Sequence, residues 1–258
     1  MCARAHLHTG PTVRPGRPLV IAHRGASAYA PENTLAAFEL AVEQGADMLE
    51  FDVHLSADDQ PVVIHDETLG RTTSGAGRVR DHSLRQLKRL DAGSWRDARF
   101  RGQRLQSLQE VLERFRARIG FAVELKAGSA VYPGIEDRVV SLLEIYDVVD
   151  RALVLSFDHA ALAAVARSNP GLARAALLEP RTRLPENITA VTPSGATAVG
   201  LPARLVTEQR VRAARAADLD LYIWTVNDPA RMDSLIEWGV RGIITDRPDV
   251  LRSRPRFA

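Results

Sequence analysis

From Pro18 onward the chain alternates short apolar runs with amphipathic segments. LVIAHR, MLEFDV, GFAVEL, ALVLSF, ARAALL, TAVGLP, LYIWTV and RGIIT read as eight strands, each apolar along most of its length, as strands buried on both faces are. Between most of them apolar residues recur at helical spacing. Leu35, Phe38 and Val42 share one face of a helix that Asn33 or Thr34 caps. Further helices are predicted over 107–116, 134–146, 159–168, 207–217 and 229–238, whereas the proline-rich stretch after ARAALL predicts no clear helix. Eight strands alternating with helices predict an α/β fold, a (β/α)8 barrel. A doubly wound open sheet is the alternative, but HRGASAYAPENT after the first strand lacks the G-x-G-x-x-G phosphate turn.

Two connections break the repeat. LEFDVHL and PVVIHD are joined by SADDQ alone, too short for a parallel crossover, so the two runs are predicted to form an antiparallel hairpin. A turn centred on Asp58 and Asp59 sets His65 beside Asp52, within one residue. Residues 67–106, rich in Arg and Gly with one helix-like piece, SLRQLKRL, read as a small insertion above the barrel mouth and not as a separate domain. The main domain is thus expected over 18–258, preceded by a loose, disordered tail over residues 1–17.

Composition narrows the function classes. The chain is 45% hydrophobic and 26% charged, as a globular protein is, with a net charge of only +2. All its basic residues except Lys88 and Lys126 are arginines, scattered and not interleaved with aromatics, so no nucleic-acid surface is expected. Cys2 is the sole cysteine, which excludes an internal disulfide and a cysteine zinc site. The N-terminal segment has no apolar core of the kind a secretory signal needs, and no run approaches the ~20 apolar residues of a membrane span. A cytoplasmic protein without membrane insertion is expected. His6 and His8 read as part of a solvated tail.

Candidate chemistry gathers at the strand ends, where active sites of such barrels form. Glu50 and Asp52 have period-two spacing and point to one side, the barrel interior if Leu49, Phe51 and Val53 face the helices. Two close carboxylates there need a counter-charge; on an exposed face they would simply be solvated. Glu124 ends another strand and is either a third ligand or a surface residue. The three together form an all-oxygen set that suits Mg2+ or Ca2+ better than Zn2+. Lys126, two residues on, is a point charge for a phosphate or a solvated lysine. His23 closes the first strand, and the hairpin returns His65; flanking a carboxylate cluster, they suit general acid–base work. Arg24 offers a planar fork to a phosphate. His54 lies on the rising hairpin arm, with a direct role or none. Trp224, at the barrel mouth, is a substrate wall or a core plug. His82 and His159 are expected on the surface. No G-x-S-x-G elbow supports a serine hydrolase. A metal, two histidines and two basic groups at one mouth imply phosphate-ester cleavage.

These residues, in this order, resemble the glycerophosphodiester phosphodiesterase family. The resemblance rests on HRGASAYAPENT, LEFDVHLSADDQPVVIHDETLGRTT, DAGSW, VELK, and WTVND followed by GVRGIITDRPD, and it spans residues 19 to 250. It implies a TIM barrel with a small insertion after His65 and a divalent cation at Glu50, Asp52 and Glu124. It also implies acid and base roles for His23 and His65, and phosphate contacts from Arg24 and Lys126. The implied substrates are glycerophosphodiesters such as glycerophosphocholine, cleaved to sn-glycerol 3-phosphate and an alcohol, with the neighbouring glycerol hydroxyl as an internal nucleophile. Two positions depart from the family's pattern: ADDQP stands where the hairpin turn usually has a glycine, and Arg241 where an aspartate is frequent. The rival readings are a phospholipase-D-like or phosphoinositide-cleaving barrel acting on intact lipids, and a non-catalytic ligand-binding barrel.

Overall fold

The computed structural model describes residues 17–179, 181–182 and 196–257. The tail expected over 1–17 lies outside them save for Arg17, as does most of the proline-rich stretch after ARAALL. The chain runs β1 (Leu19–His23), α1 (Leu35–Glu43), β2 (Met48–Leu55), β3 (Pro61–Val63), α2 (Leu84–Leu87), β4 (Gln106–Ser107), α3 (Leu108–Phe115), β5 (Gly120–Leu125), α4 (Ile135–Ile145) and β6 (Ala152–Ser156). It continues with α5 (His159–Ser168), β7 (Ala173–Leu177), β8 (Ala198–Pro202), α6 (Glu208–Ala216), β9 (Asp220–Trp224), α7 (Pro229–Trp238), β10 (Gly242–Thr245) and α8 (Pro248–Arg252). β1, β10, β9, β8, β7, β6, β5 and β2 pair in parallel in that order, and a further β1–β2 pairing closes them into a barrel. The open-sheet alternative is thereby excluded.

The eight predicted barrel strands appear within a residue or two at each end, while the first helix, SLRQLKRL and the PVVIHD arm end three residues earlier than read, and side-chain caps mark the helix starts. Thr34, Ser107, Asp158, Thr207 and Asp228 each accept from a backbone N–H of the first helical turn, removing a donor that would otherwise lack a partner. Inside the barrel, Ile21, Met48, Ala122, Leu153, Leu155, Ala175, Tyr222 and Ile244 form an apolar plug. Outside, Leu49, Phe51 and Val53 pack beneath the helices; Phe51 meets Phe38 of α1 at 5.8 Å and Phe121 of β5 at 6.3 Å between ring centres. Burying a ring of this kind is worth roughly 2–3 kcal/mol. That outward apolar face leaves Glu50, Asp52 and His54 of β2 no option but the interior.

β2 outruns the barrel. Met48 to Glu50 pair with β1, while Val53 to Leu55 pair with β3 as the predicted antiparallel hairpin. Its register falls within the one residue expected: Val53 lies opposite Val63, and Ile64, not His65, donates to the Asp52 carbonyl (3.0 Å). The reason is the turn. Asp59 N–H donates to Ser56 (3.1 Å) and Asp59 adopts φ 57°, so the loop holds an odd number of residues centred on Asp58. Aspartate tolerates this left-handed conformation better than most residues do, which is how ADDQP forms the turn without glycine. Arg138 of α4 holds Asp59 from outside (2.9 Å).

Between β3 and β4 the chain wraps a small apolar cluster of Val62, Ile64, Leu69, Val79, Leu87, Ala92 and Leu105, with α2 at its edge and Ser83 and Gln86 closing a capping box. Arg241 pairs with Asp220 at the start of β9 (3.3 Å), at the barrel end opposite the mouth. Among the described residues, no helix is long and apolar enough to cross a membrane.

Candidate active site

The C-terminal ends of the barrel strands open into a pocket of about 310 Å3, lined by His23, Arg24, Glu50, His65, Glu124, Lys126, Trp224 and their neighbours. Glu50, Asp52 and Glu124 are almost fully buried, and one oxygen from each lies within 4.8 Å of the others. The parallel β2–β5 register sets Asp52 level with Glu124, and β2's period of two brings Glu50 to the same side.

This cluster is short of positive charge. Burial and the neighbouring Asp52 push the Glu50 carboxyl up to about 8, and burial with Asp52 likewise raises Glu124. Burial would raise Asp52 as well, but the charges of Arg24, Lys126 and His65 and the Asn33 hydrogen bond outweigh it and hold Asp52 down at about 2. Among the described residues Asp52 Oδ1 is buried with no hydrogen-bond partner, and Lys126 Nζ lies 3.4 Å from it. A carboxylate oxygen that no hydrogen bond satisfies, beside two carboxyls that burial drives towards protonation, fits a divalent cation bound through oxygen.

The basic groups sit on the rim of the cluster. Lys126 Nζ is 2.7 Å from Glu124 and 3.4 Å from Asp52; Arg24 Nε is 3.3 Å from Asp52. Arg24 takes its place through an uncommon backbone, with φ 55° followed by φ 82° at Gly25. A Cβ on Gly25 would come within 2.6 Å of the Ala37 backbone, so only glycine lets α1 approach the turn this closely. The turn directs the Arg24 N–H onto Glu50 (2.8 Å) and the Arg24 carbonyl onto the Asn33 N–H (3.0 Å). Asn33, also left-handed at φ 58°, donates its side-chain amide to Asp52 (2.8 Å).

Both histidines are held the same way. His23 Nδ1 is 2.6 Å from Asp246, which Ser27 (2.9 Å) and Asn227 (2.6 Å) hold in turn. His65 Nδ1 is 2.7 Å from Asp66, whose two oxygens accept from Arg71 at 2.6 and 2.9 Å. Each carboxylate occupies Nδ1 and leaves Nε2 for the pocket. Their environments differ. Burial would lower His23, but the hydrogen bond to Asp246 and the charge of Glu50 outweigh it and raise it. At His65 burial prevails over Asp52 and Asp66, helped by Arg24 and Lys126, and lowers it.

All eight residues singled out from the sequence line this pocket or its floor. Trp224 is half-buried, lines the pocket, packs on the apolar plug below it and faces Phe157 edge-on at 5.6 Å. Sequence reasoning paired none of the second partners with the residue each holds: Glu32 and Asn33 in APENT, Asp66 and Arg71 in HDETLGRTT, Asn227 in WTVND and Asp246 in TDRPD. Each lies within a quoted motif, but nothing in a motif states which residue it meets. His159 is not a free surface residue, since Nε2 bonds the Leu177 carbonyl (3.0 Å) and ties α5 to β7; His82 Nδ1 likewise bonds the Arg78 carbonyl (2.9 Å).

Residues 23–250 match the glycerophosphoryl diester phosphodiesterase family. The chain is 38% identical to the glycerophosphodiester phosphodiesterase of Caldanaerobacter subterraneus subsp. tengcongensis, over 91% of this chain and 96% of that one. A phosphodiesterase of Oleispira antarctica, solved in complex with the product sn-glycerol-3-phosphate, superposes with a TM-score of 0.84 at 31% identity, over 92% of this chain and 96% of that one. The glycerophosphodiester phosphodiesterase of Agrobacterium tumefaciens gives 0.80 at 33% identity, over 92% and 100%. By this match, and by the site built on the matched residues, the chain belongs to the glycerophosphoryl diester phosphodiesterase family.

Proposed function

We propose that this protein hydrolyses glycerophosphodiesters to sn-glycerol 3-phosphate and an alcohol, with a divalent cation and two histidines as acid and base. The observation that carries this reading is the pair of histidine–aspartate dyads, His23–Asp246 and His65–Asp66, facing one pocket across a buried three-carboxylate cluster. Two titratable groups of one kind with oppositely perturbed affinities for a proton are what an acid–base pair requires.

Glu50, Asp52 and Glu124 would hold the cation, which supplies charge stabilisation for the phosphoryl oxygens when bound. Magnesium and calcium both suit an all-oxygen set. Arg24 and Lys126 orient the phosphate and balance charge that builds on its equatorial oxygens. His65, lowered and thus neutral near pH 7, takes the proton from the attacking hydroxyl through Nε2. His23, raised and thus more often protonated, gives its proton to the leaving alcohol oxygen. Where the glycerol hydroxyl next to the phosphoester attacks, a cyclic phosphate forms and the roles reverse: His23 deprotonates water and His65 protonates the oxygen that leaves. Trp224 and Phe157 wall the pocket, whose volume matches a small-molecule diester.

The deciding assay offers glycerophosphocholine, glycerophosphoethanolamine and a diacyl phospholipid with Mg2+ or Ca2+ and follows sn-glycerol 3-phosphate. Release from the soluble diesters supports the reading. Preference for the intact lipid moves it to the lipid-cleaving class, and binding without release removes the enzyme altogether.

A further inference from the structure

His54 is buried at 4% exposure, and neither the metal cluster nor the acid–base pair uses it. It continues the inward face of β2 beyond Glu50 and Asp52. Both ring nitrogens are engaged: Nε2 is 2.9 Å from the backbone carbonyl of His65, and Nδ1 is 2.7 Å from the hydroxyl of Tyr132. Tyr132 lies in the loop between β5 and α4, 5% exposed, with its ring edge-on to the imidazole at 5.4 Å. Its backbone is pinned, since its N–H donates to the Gly128 carbonyl (3.0 Å) and its carbonyl accepts from Ile135 (3.1 Å).

A carbonyl only accepts, so Nε2 carries the proton. In the neutral ring Nδ1 is then an acceptor, and the tyrosine hydroxyl donates to it. The chain of donors therefore runs one way, from Tyr132 O–H to His54 Nδ1 and from His54 Nε2–H to the His65 carbonyl. The location gives the chain its significance. The ladder between β2 and β3 ends at Val63, with one further bond from Ile64 to Asp52, so no strand partner holds the His65 carbonyl. The side-chain bond from His54 stands in for the missing ladder bond at the residue whose imidazole must face the phosphate.

We propose that His54 and Tyr132 are positioning residues for His65, with His54 locked as the Nε2–H tautomer so that it donates to the His65 carbonyl and fixes the backbone carrying the proposed base. Neither residue is among those that line the pocket or form the carboxylate cluster. Misplacing a reacting group by about 1 Å costs on the order of 10²-fold in rate, and the backbone of His65 is what His54 restrains.

The inference rests on the hydrolase reading for its kinetics but not for its structural test. In 15N-histidine-labelled protein, with the His54 signals assigned by their loss in His54→Gln, the imidazole nitrogens should show a neutral ring protonated at Nε2. A ring protonated at Nδ1, or at both nitrogens, overturns the proposal whether or not the protein turns over a diester. In the kinetic arm, His54→Leu fills the same space without a donor and should lower kcat by about 10- to 100-fold with KM within about threefold. His54→Gln, which returns an N–H near the Nε2 position, should recover most of the loss, and Tyr132→Phe should cost a smaller factor of about three. Equal losses in the Leu and Gln variants, or an unchanged kcat in His54→Leu, overturn the proposal. Should His54→Leu fail to fold, the tautomer and Tyr132→Phe decide it. Absence of glycerol phosphate release by the wild-type protein counts against the hydrolase reading, and the tautomer then decides the positioning role alone.

Discussion

His23 Nδ1 lies 2.6 Å from Asp246 Oδ1, although the two residues stand 223 positions apart in the chain. Barrel closure makes the contact, because β1 and β10 are neighbours and Ala22 is level with Thr245. The carboxylate fixes the ring and raises its affinity for a proton, together with Glu50 and against burial. Asp246→Asn keeps the shape and removes the charge. It should lower kcat by about 10²-fold, a typical contribution of a positioned acid. An acid works while protonated, so activity falls as pH rises through the His23 pKa. Removing a raising influence moves that alkaline limb to lower pH. A kcat–pH profile whose alkaline limb stays where it is in the wild type would take His23–Asp246 out of the acid role.

The same contact carries a stability prediction. Burial would raise Asp246, but the hydrogen bond and charge of His23, with Asn227 and Ser27, pull it to about 2. Against an unfolded value of about 3.9 this depression contributes about 2–3 kcal/mol. Since the folded value is the lower one, the contribution is complete above pH 4 and is lost as pH falls through 2, where His23 is protonated throughout. Urea unfolding of wild type and Asp246→Asn should differ most at pH 5 and converge towards pH 2. A constant difference across that range would show that packing, not charge, links the two residues.

The fold was legible because strands buried on both faces must be apolar along most of their length and helices need capped starts. The eight runs and the Thr34 cap declare themselves locally, whereas the Ser107, Asp158, Thr207 and Asp228 caps were not singled out. Glu50 and Asp52 were legible too, since alternation decides which face of β2 they share. The hairpin that returns His65 was legible to within one residue, and the remaining offset turned on a left-handed Asp59 where the family's pattern has glycine. Asp246, Asn227, Glu32 and Tyr132 were not legible as partners, because these contacts form only when the segments at the strand ends pack together. A sequence shows which residues carry chemistry well before it shows which residues hold them in place.

Arg71 makes a further prediction of this kind. Its guanidinium bonds both oxygens of Glu32 at 2.8 Å and both oxygens of Asp66. Glu32 also holds Arg24 (2.8 Å), so one residue from the segment between β3 and β4 braces the proposed base on one side and the phosphate arginine on the other. Arg71→Ala should lower kcat/KM about 10-fold or more, through kcat by way of His65 and through KM by way of Arg24. Arg71→Lys should recover little, since an ammonium cannot engage two carboxylates at once with a planar fork. Full recovery by lysine in steady-state kinetics would reduce the role to simple charge.

Metal dependence is tested at the buried cluster. Activity should vanish in excess EDTA and return with Mg2+ or Ca2+. Glu50→Gln keeps the size of the side chain and deletes one anionic ligand, so cation affinity measured by calorimetry should fall at least about 10-fold, comparable to the loss of an outer-shell partner. Undiminished turnover in EDTA, or unchanged affinity in Glu50→Gln, would leave the three carboxylates without the role proposed for them.

Trp224 separates substrate wall from structural plug. Its ring meets Phe157 edge-on, and its Nε1 is buried without a hydrogen-bond partner among the described residues, an arrangement that costs stability unless something in the pocket accepts from it. A diester whose alcohol or glycerol oxygen accepted that N–H would gain both the bond and the apolar face. Trp224→Phe removes the donor and keeps a ring; Trp224→Ala removes both. If the indole binds substrate, KM should rise about threefold in the first and about 10-fold or more in the second, with kcat within about threefold, because such contacts serve ground state and transition state alike. The melting temperature of Trp224→Phe should hold or rise, since it loses a buried donor that had no partner. A fall in melting temperature with KM unchanged would assign Trp224 to the packing of the barrel mouth instead.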